Sequence, residues 1–291
     1  MRLSEEIRLP TPRGQLAGLR FAEPVGPPVL CLHGFLDNAA SFIPIAHFLA
    51  DLDIVAMDFP GHGHSDHHHP AANYHFMDYL ADVDAALDAL GWTSCHLVGH
   101  SMGAAVAALY AAAAPERVRS LVALDSLGPI SEPPERGTSR LRKSVHSLRA
   151  GPRRKKAYSS IDDMIRARQA NSDLDDESAR LICERSITRR ESHYEWRNDP
   201  ALYWVSPVLL TEEQVLHYLR HIETGVLSLT AAQLAPVGSE EKVKSRAAAV
   251  RHGRHLTVEG DHHFHMHQPG QIAATIREFI LEQERHFATA P

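Results

Sequence analysis

The chain has 291 residues, 44% of them hydrophobic and 23% charged, with a net charge of -6 when histidine is neutral. This composition suits a globular protein long enough for a large core, and the mild negative charge gives no electrostatic basis for partnership with nucleic acid or an anionic membrane. Three cysteines make no disulfide framework, Met1 to Pro10 carries Arg2, Glu5, Glu6 and Arg8 where a signal peptide would be apolar, and Ala104 to Ala114 falls short of the roughly 20 residues of a membrane span, so a cytoplasmic address is expected.

In chain order, Glu5 to Leu9 and Leu16 to Phe21 flank the turn formers Pro10 to Gly14 and predict a hairpin. Val29 to Leu32, Ile54 to Met57, Cys95 to Val98 and Val118 to Leu124 are short continuous apolar runs of the kind that buried parallel strands show. Helices are expected between them, over Ala39 to Ala50 and again where Leu80, Val83, Leu87 and Leu90 recur at spacings of three and four opposite Asp78, Asp82, Asp84 and Asp88. Such alternation predicts an α/β protein with right-handed crossovers and its active groups at the carboxyl ends of the strands.

Between the third of these runs and the helix that follows it stands Gly99-His100-Ser101-Met102-Gly103. Gly-x-Ser-x-Gly between a strand and a helix is a nucleophile elbow, with Ser101 raised on a tight turn and the helix N-terminus behind it. The alternation then fails from residue 130 to 219. We expect a core of residues 1–129 and 220–291 and an inserted, mainly helical lid of residues 130–219. Within the insertion, the basic run Arg149 to Lys156 reads as a solvated face, and Tyr194, Trp196, Tyr203 and Trp204 read equally as a small core of its own or as the wall of an acyl pocket. Strand, helix, strand and helix resume at Gly225 to Leu229, Glu240 to Val250, His255 to Val258 and Gln271 to Phe287.

Of the 21 histidines, several crowd into the runs at 62–69 and 262–267. Neither run has the helical spacing with a carboxylate that a His-Glu-x-x-His metal site uses, so the sequence predicts no metal and no cofactor.

Leu32-His33-Gly34-Phe35, Asp58 to Ser65, the Gly99 to Gly103 elbow and the histidine loop near residue 262 occur in the order seen in the α/β-hydrolase superfamily. Within it the chain resembles the serine-hydrolase-like proteins and their bacterial relatives, through Leu-Asp-x-Leu-Gly-Pro at Leu124 to Pro129 and Gly-x-His-x-x-His-Met at Gly260 to Met266. The resemblance implies an α/β-hydrolase fold and a serine hydrolase acting on a small-molecule carboxylic ester or thioester; a carbon-carbon bond hydrolase and a non-catalytic binding protein are the alternatives. It implies Ser101 as nucleophile, an oxyanion hole from the backbone N–H groups of Phe35 and Met102, and bracing roles for His33 and Asp58. Leu36, His100, Trp196 and Trp204 are the candidate pocket residues. Haloalkane dehalogenases and epoxide hydrolases of this fold carry aspartate where Ser101 stands, so their chemistry is not expected.

For the base, relatives place a histidine seven residues before the proline opening the last helix, which from Pro269 selects His262 ahead of its neighbour His263. The acid departs from the usual position, since Thr230 to Pro236, after the seventh strand, holds no carboxylate. Glu240 and Glu241 read instead as the first turn of a helix. Some members of the fold, including many dehalogenases, carry the acid at the end of the sixth strand, and the resemblance therefore implies Asp125, which stands there; a carboxylate in that buried position also requires a partner, and a histidine N–H supplies one. The oligomeric state is left open.

Overall fold

The computed structural model describes residues 4–21, 25–70, 72–233 and 239–289. A hairpin of β1 (Glu5–Thr11) and β2 (Gly14–Phe21) leads into β3 (Pro28–Leu32), α1 (Ile43–Ala46), β4 (Asp53–Asp58), α2 (Asp78–Leu90), β5 (Cys95–His100), α3 (Met102–Ala113) and β6 (Val118–Leu124). The insertion follows with α4 (Gly137–Ala150), α5 (Ile161–Gln169), α6 (Asp176–Arg185), β7 (Ile187–Arg189) and β8 (Tyr194–Trp196). Then come α7 (Glu212–Arg220), β9 (Gly225–Ala231), α8 (Glu240–Ala249), β10 (Gly253–Val258), α9 (Phe264–His267) and α10 (Pro269–Thr289). Eight strands form one sheet in the order β1-β2-β4-β3-β5-β6-β9-β10. β2 runs antiparallel to both neighbours and every pair from β4 to β10 is parallel.

The continuous apolar runs make sense once both faces of the sheet are considered. Because side chains alternate along a strand, Leu30, Leu32, Val55, Met57, Leu97 and Leu121 join α2 and α3 on one face, while Val29, Cys31, Ile54, Ala56, Val98 and Val122 join α1 and α10 on the other. The three cysteines are buried and free. No helix among the described residues is long and apolar enough to cross a membrane.

One expectation needs correction. The helix expected over Ala39 to Ala50 is a 3-10 turn, Ala39–Phe42, followed by the four-residue α1. Pro44 is the reason: proline fits only the first turn of an α-helix, so the helix restarts at Ile43. Residues 130–219 carry, beside their helices, an antiparallel pair, β7 with β8, forming a separate two-stranded sheet. Within the same stretch, α7 sends Val215 and Leu219 into the core layer that holds α3.

An ion cluster ties α6 to β4 and β1. Arg185 of α6 donates from Nε to both Asp58 oxygens, at 3.1 and 3.0 Å, and from Nη1 to Glu6 at 2.6 Å. Burial raises the Asp58 carboxyl pKa, but the Arg185 charge and hydrogen bonds, with His33 and the Ala39 amide, outweigh it and hold the group below its ordinary value. Arg185→Met leaves Asp58 buried and uncompensated, which costs about 3–5 kcal/mol. Denaturant melts are expected to give that loss at neutral pH. Since the folded pKa of Asp58 is depressed, its stabilisation is present above the unfolded value and lost as pH falls through the folded one, so the wild-type advantage should shrink on acidification. An advantage independent of pH would contradict this account.

Candidate active site

Ser101 sits between β5 and α3 with φ 51° and ψ -115°, outside the regions that L-residues favour. The two flanking glycines make this turn possible by close approach. A Cβ on Gly99 would lie 2.4 Å from Ala104 Cα, and one on Gly103 would lie 2.0 Å from the carbonyl oxygen of Leu32. Ser101 N–H donates to Leu124 O at 2.9 Å and its carbonyl accepts from Ala105 N–H at 3.1 Å, tying the turn to β6 and α3. Gly103→Ala should therefore force β3 and α3 apart. Soluble yield and thermal melting report this, with a large fall expected; an unchanged melt would refute the close-packing argument.

Asp125, the first residue after β6, also has positive φ, 53°. Its Oδ1 accepts from Ala231 N–H at 2.8 Å, and its Oδ2 accepts from His262 Nδ1–H at 2.6 Å. The Asp125 side chain is 2% exposed and that of His262 29%, so the ion-pairing carboxylate is dry while the imidazole reaches open space. Farther along, Arg246 of α8 donates to the carbonyls of Leu127, Gly128 and Pro129 at 3.2, 3.0 and 2.9 Å and pairs with Glu212. This guanidinium fixes the segment that follows Asp125, and nothing in the local sequence announces it.

The loop after β3 is shaped by Leu36, at φ 63°, and by Asp37 N–H donating to Gly34 O at 3.1 Å. His33 braces it: Nδ1–H donates to Gly34 O at 2.7 Å while Nε2 accepts from Phe59 N–H at 3.0 Å. Burial lowers the His33 pKa and so favours this neutral form. Asp58 accepts from Ala39 and His64 N–H groups, a bracing position likewise. Met102 opens α3, so its N–H has no intrahelical acceptor.

Ser101, Met102, Phe35, Asp125 and His262 all line one cavity of about 690 Å³. Phe76, Met77, Leu127, Ile130, Val208 and Leu210 give it an apolar wall, with Lys242 and Arg246 also lining it. Sequence reasoning missed this wall, which comes from four separated segments. The candidate pocket residues Leu36, His100, Trp196 and Trp204 are not among its lining residues. His100 is fully buried, with Nε2 donating to the His262 carbonyl at 2.8 Å. Trp196 donates to Tyr158 Oη at 3.2 Å and packs on the small cluster of Ile165, Leu174, Ile182 and Met266, which makes it core of the insertion. Tyr203, by contrast, meets Phe35 edge to face, with ring centroids 6.3 Å apart.

His263 is the other candidate base; it is not among the residues lining the cavity with Ser101, and its ring belongs to a different cluster. Its Nδ1–H donates to Asp173, and its Nε2 lies 3.4 Å from Asp37 Oδ2. Burial works against its charged form, but the two carboxylates prevail and push its pKa up to about 9. The histidines of the 62–69 run have structural partners of their own: His62 meets Pro60 O, His64 pairs with Glu6, and His68 stacks on Tyr74.

A family profile for the alpha/beta hydrolase fold matches residues 27–202. A serine hydrolase-like protein of Danio rerio is 31% identical over 97% of this chain and 90% of its own length. The chain belongs to the α/β-hydrolase family. A hypothetical protein of Pseudomonas aeruginosa PAO1 is similar to this hydrolase in structure, with a TM-score of 0.89, 34% identity and coverage of 94% of this chain and 98% of the other. The thioesterase domain from the curacin biosynthetic pathway shares the fold at a TM-score of 0.82 and 23% identity, over 94% of this hydrolase and 98% of that domain.

Proposed function

We propose that this hydrolase cleaves a carboxylic ester or thioester of medium apolar acyl length through a Ser101–His262–Asp125 triad. The observation that carries the reading is the 2.6 Å bond from His262 Nδ1 to a dry Asp125, on the wall of the cavity into which the Ser101 elbow opens. Since a carboxylate can only accept, that bond puts the ring proton on Nδ1 and leaves the Nε2 lone pair to take the Ser101 proton. Ser101 Oγ attacks the carbonyl, the leaving group departs with the proton from His262, and water then releases the acyl group by the same steps in reverse. The backbone N–H groups of Phe35 and Met102 serve the oxyanion, each worth roughly 3 kcal/mol in the transition state. The insertion acts as a lid, contributing Ile130, Val208 and Leu210 to the acyl pocket.

The apolar wall favours hydrocarbon acyl groups over polar ones. A panel of p-nitrophenyl and acyl-CoA esters from acetyl to dodecanoyl tests this, with kcat/KM expected to rise from two carbons to a maximum at intermediate length. Absence of turnover across both series would overturn the reading.

A further inference from the structure

Behind the Asp125–His262 pair lies a second cluster that the proposed chemistry does not use. Asp37 is buried on the loop after β3, His100 closes β5, and His263 follows the proposed base on the loop after β10. Arg168 of α5 holds Asp37 through Oδ1, which leaves Oδ2 directed at the two imidazoles.

The tautomers follow from the partners. His100 Nε2 faces a carbonyl, which can only accept, so Nε2 carries the proton. With its proton on Nε2, the ring directs the Nδ1 lone pair toward Asp37. That Nδ1 is buried with no hydrogen-bond partner, and it sits 3.7 Å from Asp37 Oδ2, beyond hydrogen-bond range. His263 Nδ1–H goes to Asp173, and its Nε2 lies 3.4 Å from the same Asp37 oxygen. The three ligand atoms are all within 4.8 Å of one another.

Tetrahedral zinc bound at 2.0–2.1 Å separates its ligand atoms by about 3.3 Å, close to the two shorter spacings here. Metal-bound imidazoles also donate their second N–H to a carboxylate or carbonyl, and both histidines already do so. Glycine is required at Gly34, beside the donors, because a Cβ there would lie 2.9 Å from Asp37 Oδ2 and 3.0 Å from His100 Nδ1.

We propose that Asp37 Oδ2, His100 Nδ1 and His263 Nε2 form a binding site for a divalent transition-metal ion of the zinc class, which cross-links the end of β5 with the loops after β3 and β10. Asp173 acts on it as a positioning residue through His263. The sequence predicts no such site because its ligands lie on the end of one strand and on two loops, with no common spacing.

The test uses the full chain stripped of metal and titrated with zinc ion alone, followed by calorimetry and elemental analysis. One equivalent should bind and the melting temperature should rise with zinc concentration. Cobalt in its place should give the intense visible absorption of a tetrahedral ion. Asp173→Asn should weaken zinc binding by about 10- to 100-fold, and His67→Gln, in the surface histidine run, should leave it unchanged. No stoichiometric binding, or equal binding by wild type and Asp173→Asn, overturns the proposal. Should Asp173→Asn fail to fold, an anomalous difference map of zinc-soaked wild-type crystals decides: a peak between the three ligand atoms supports the site and a peak elsewhere refutes it.

Discussion

Replacing Asp125 with asparagine is expected to lower kcat by about 10⁴-fold while the protein stays folded. The reason lies in the two bonds the carboxylate makes. Ala231 N–H needs an acceptor, so the asparagine amide keeps its oxygen there and turns its NH₂ toward His262 Nδ1. An NH₂ can only be met by a lone pair, so the ring proton moves to Nε2, where it blocks proton transfer from Ser101. Size and hydrogen-bond number are preserved and only the tautomer is wrong. The effect should fall on kcat with little change in KM, because the substitution leaves the apolar wall intact. A kcat within tenfold of wild type would contradict the assignment of Asp125 as the acid.

A larger loss, about 10⁴- to 10⁶-fold in kcat, is expected for Ser101→Ala. The turn itself should survive. Its geometry is held by the Ser101 backbone bonds to Leu124 and Ala105 and by the close approach at Gly99 and Gly103, none of which involves Oγ. Steady-state turnover beside a thermal melt separates the two effects. Turnover near wild type would remove Ser101 from the mechanism, whereas a lost melt would indicate that the hydroxyl has a structural role.

Those features of the fold and site set by local rules were legible in the sequence. Continuous runs such as Val29 to Leu32 are explained by a sheet covered on both faces, and the elbow glycines by contacts with neighbouring backbone. The candidate acid, Asp125, is legible in part, because Thr230 to Pro236 holds no carboxylate and the end of the sixth strand does; of that stretch, Leu234 to Pro236 lie outside the described residues. The cavity wall was not legible, because residues 75–77, 126–131, 206–210 and 239–246 meet only through tertiary packing. Choosing Trp196 and Trp204 by chemical type led to the insertion, where Trp196 fills a core of its own. Arg246 and Arg185 were equally invisible. Each is a surface-type residue whose partners, three carbonyls in one case and Asp58 in the other, come from remote segments.

The claim on which all of this rests is that Ser101 is an activated nucleophile. Treating the wild-type protein with a fluorophosphonate and sequencing the modified peptide by mass spectrometry tests it most directly. One covalent adduct per chain on Ser101 is predicted; no adduct, or an adduct on another residue with Ser101 unmodified, would contradict it.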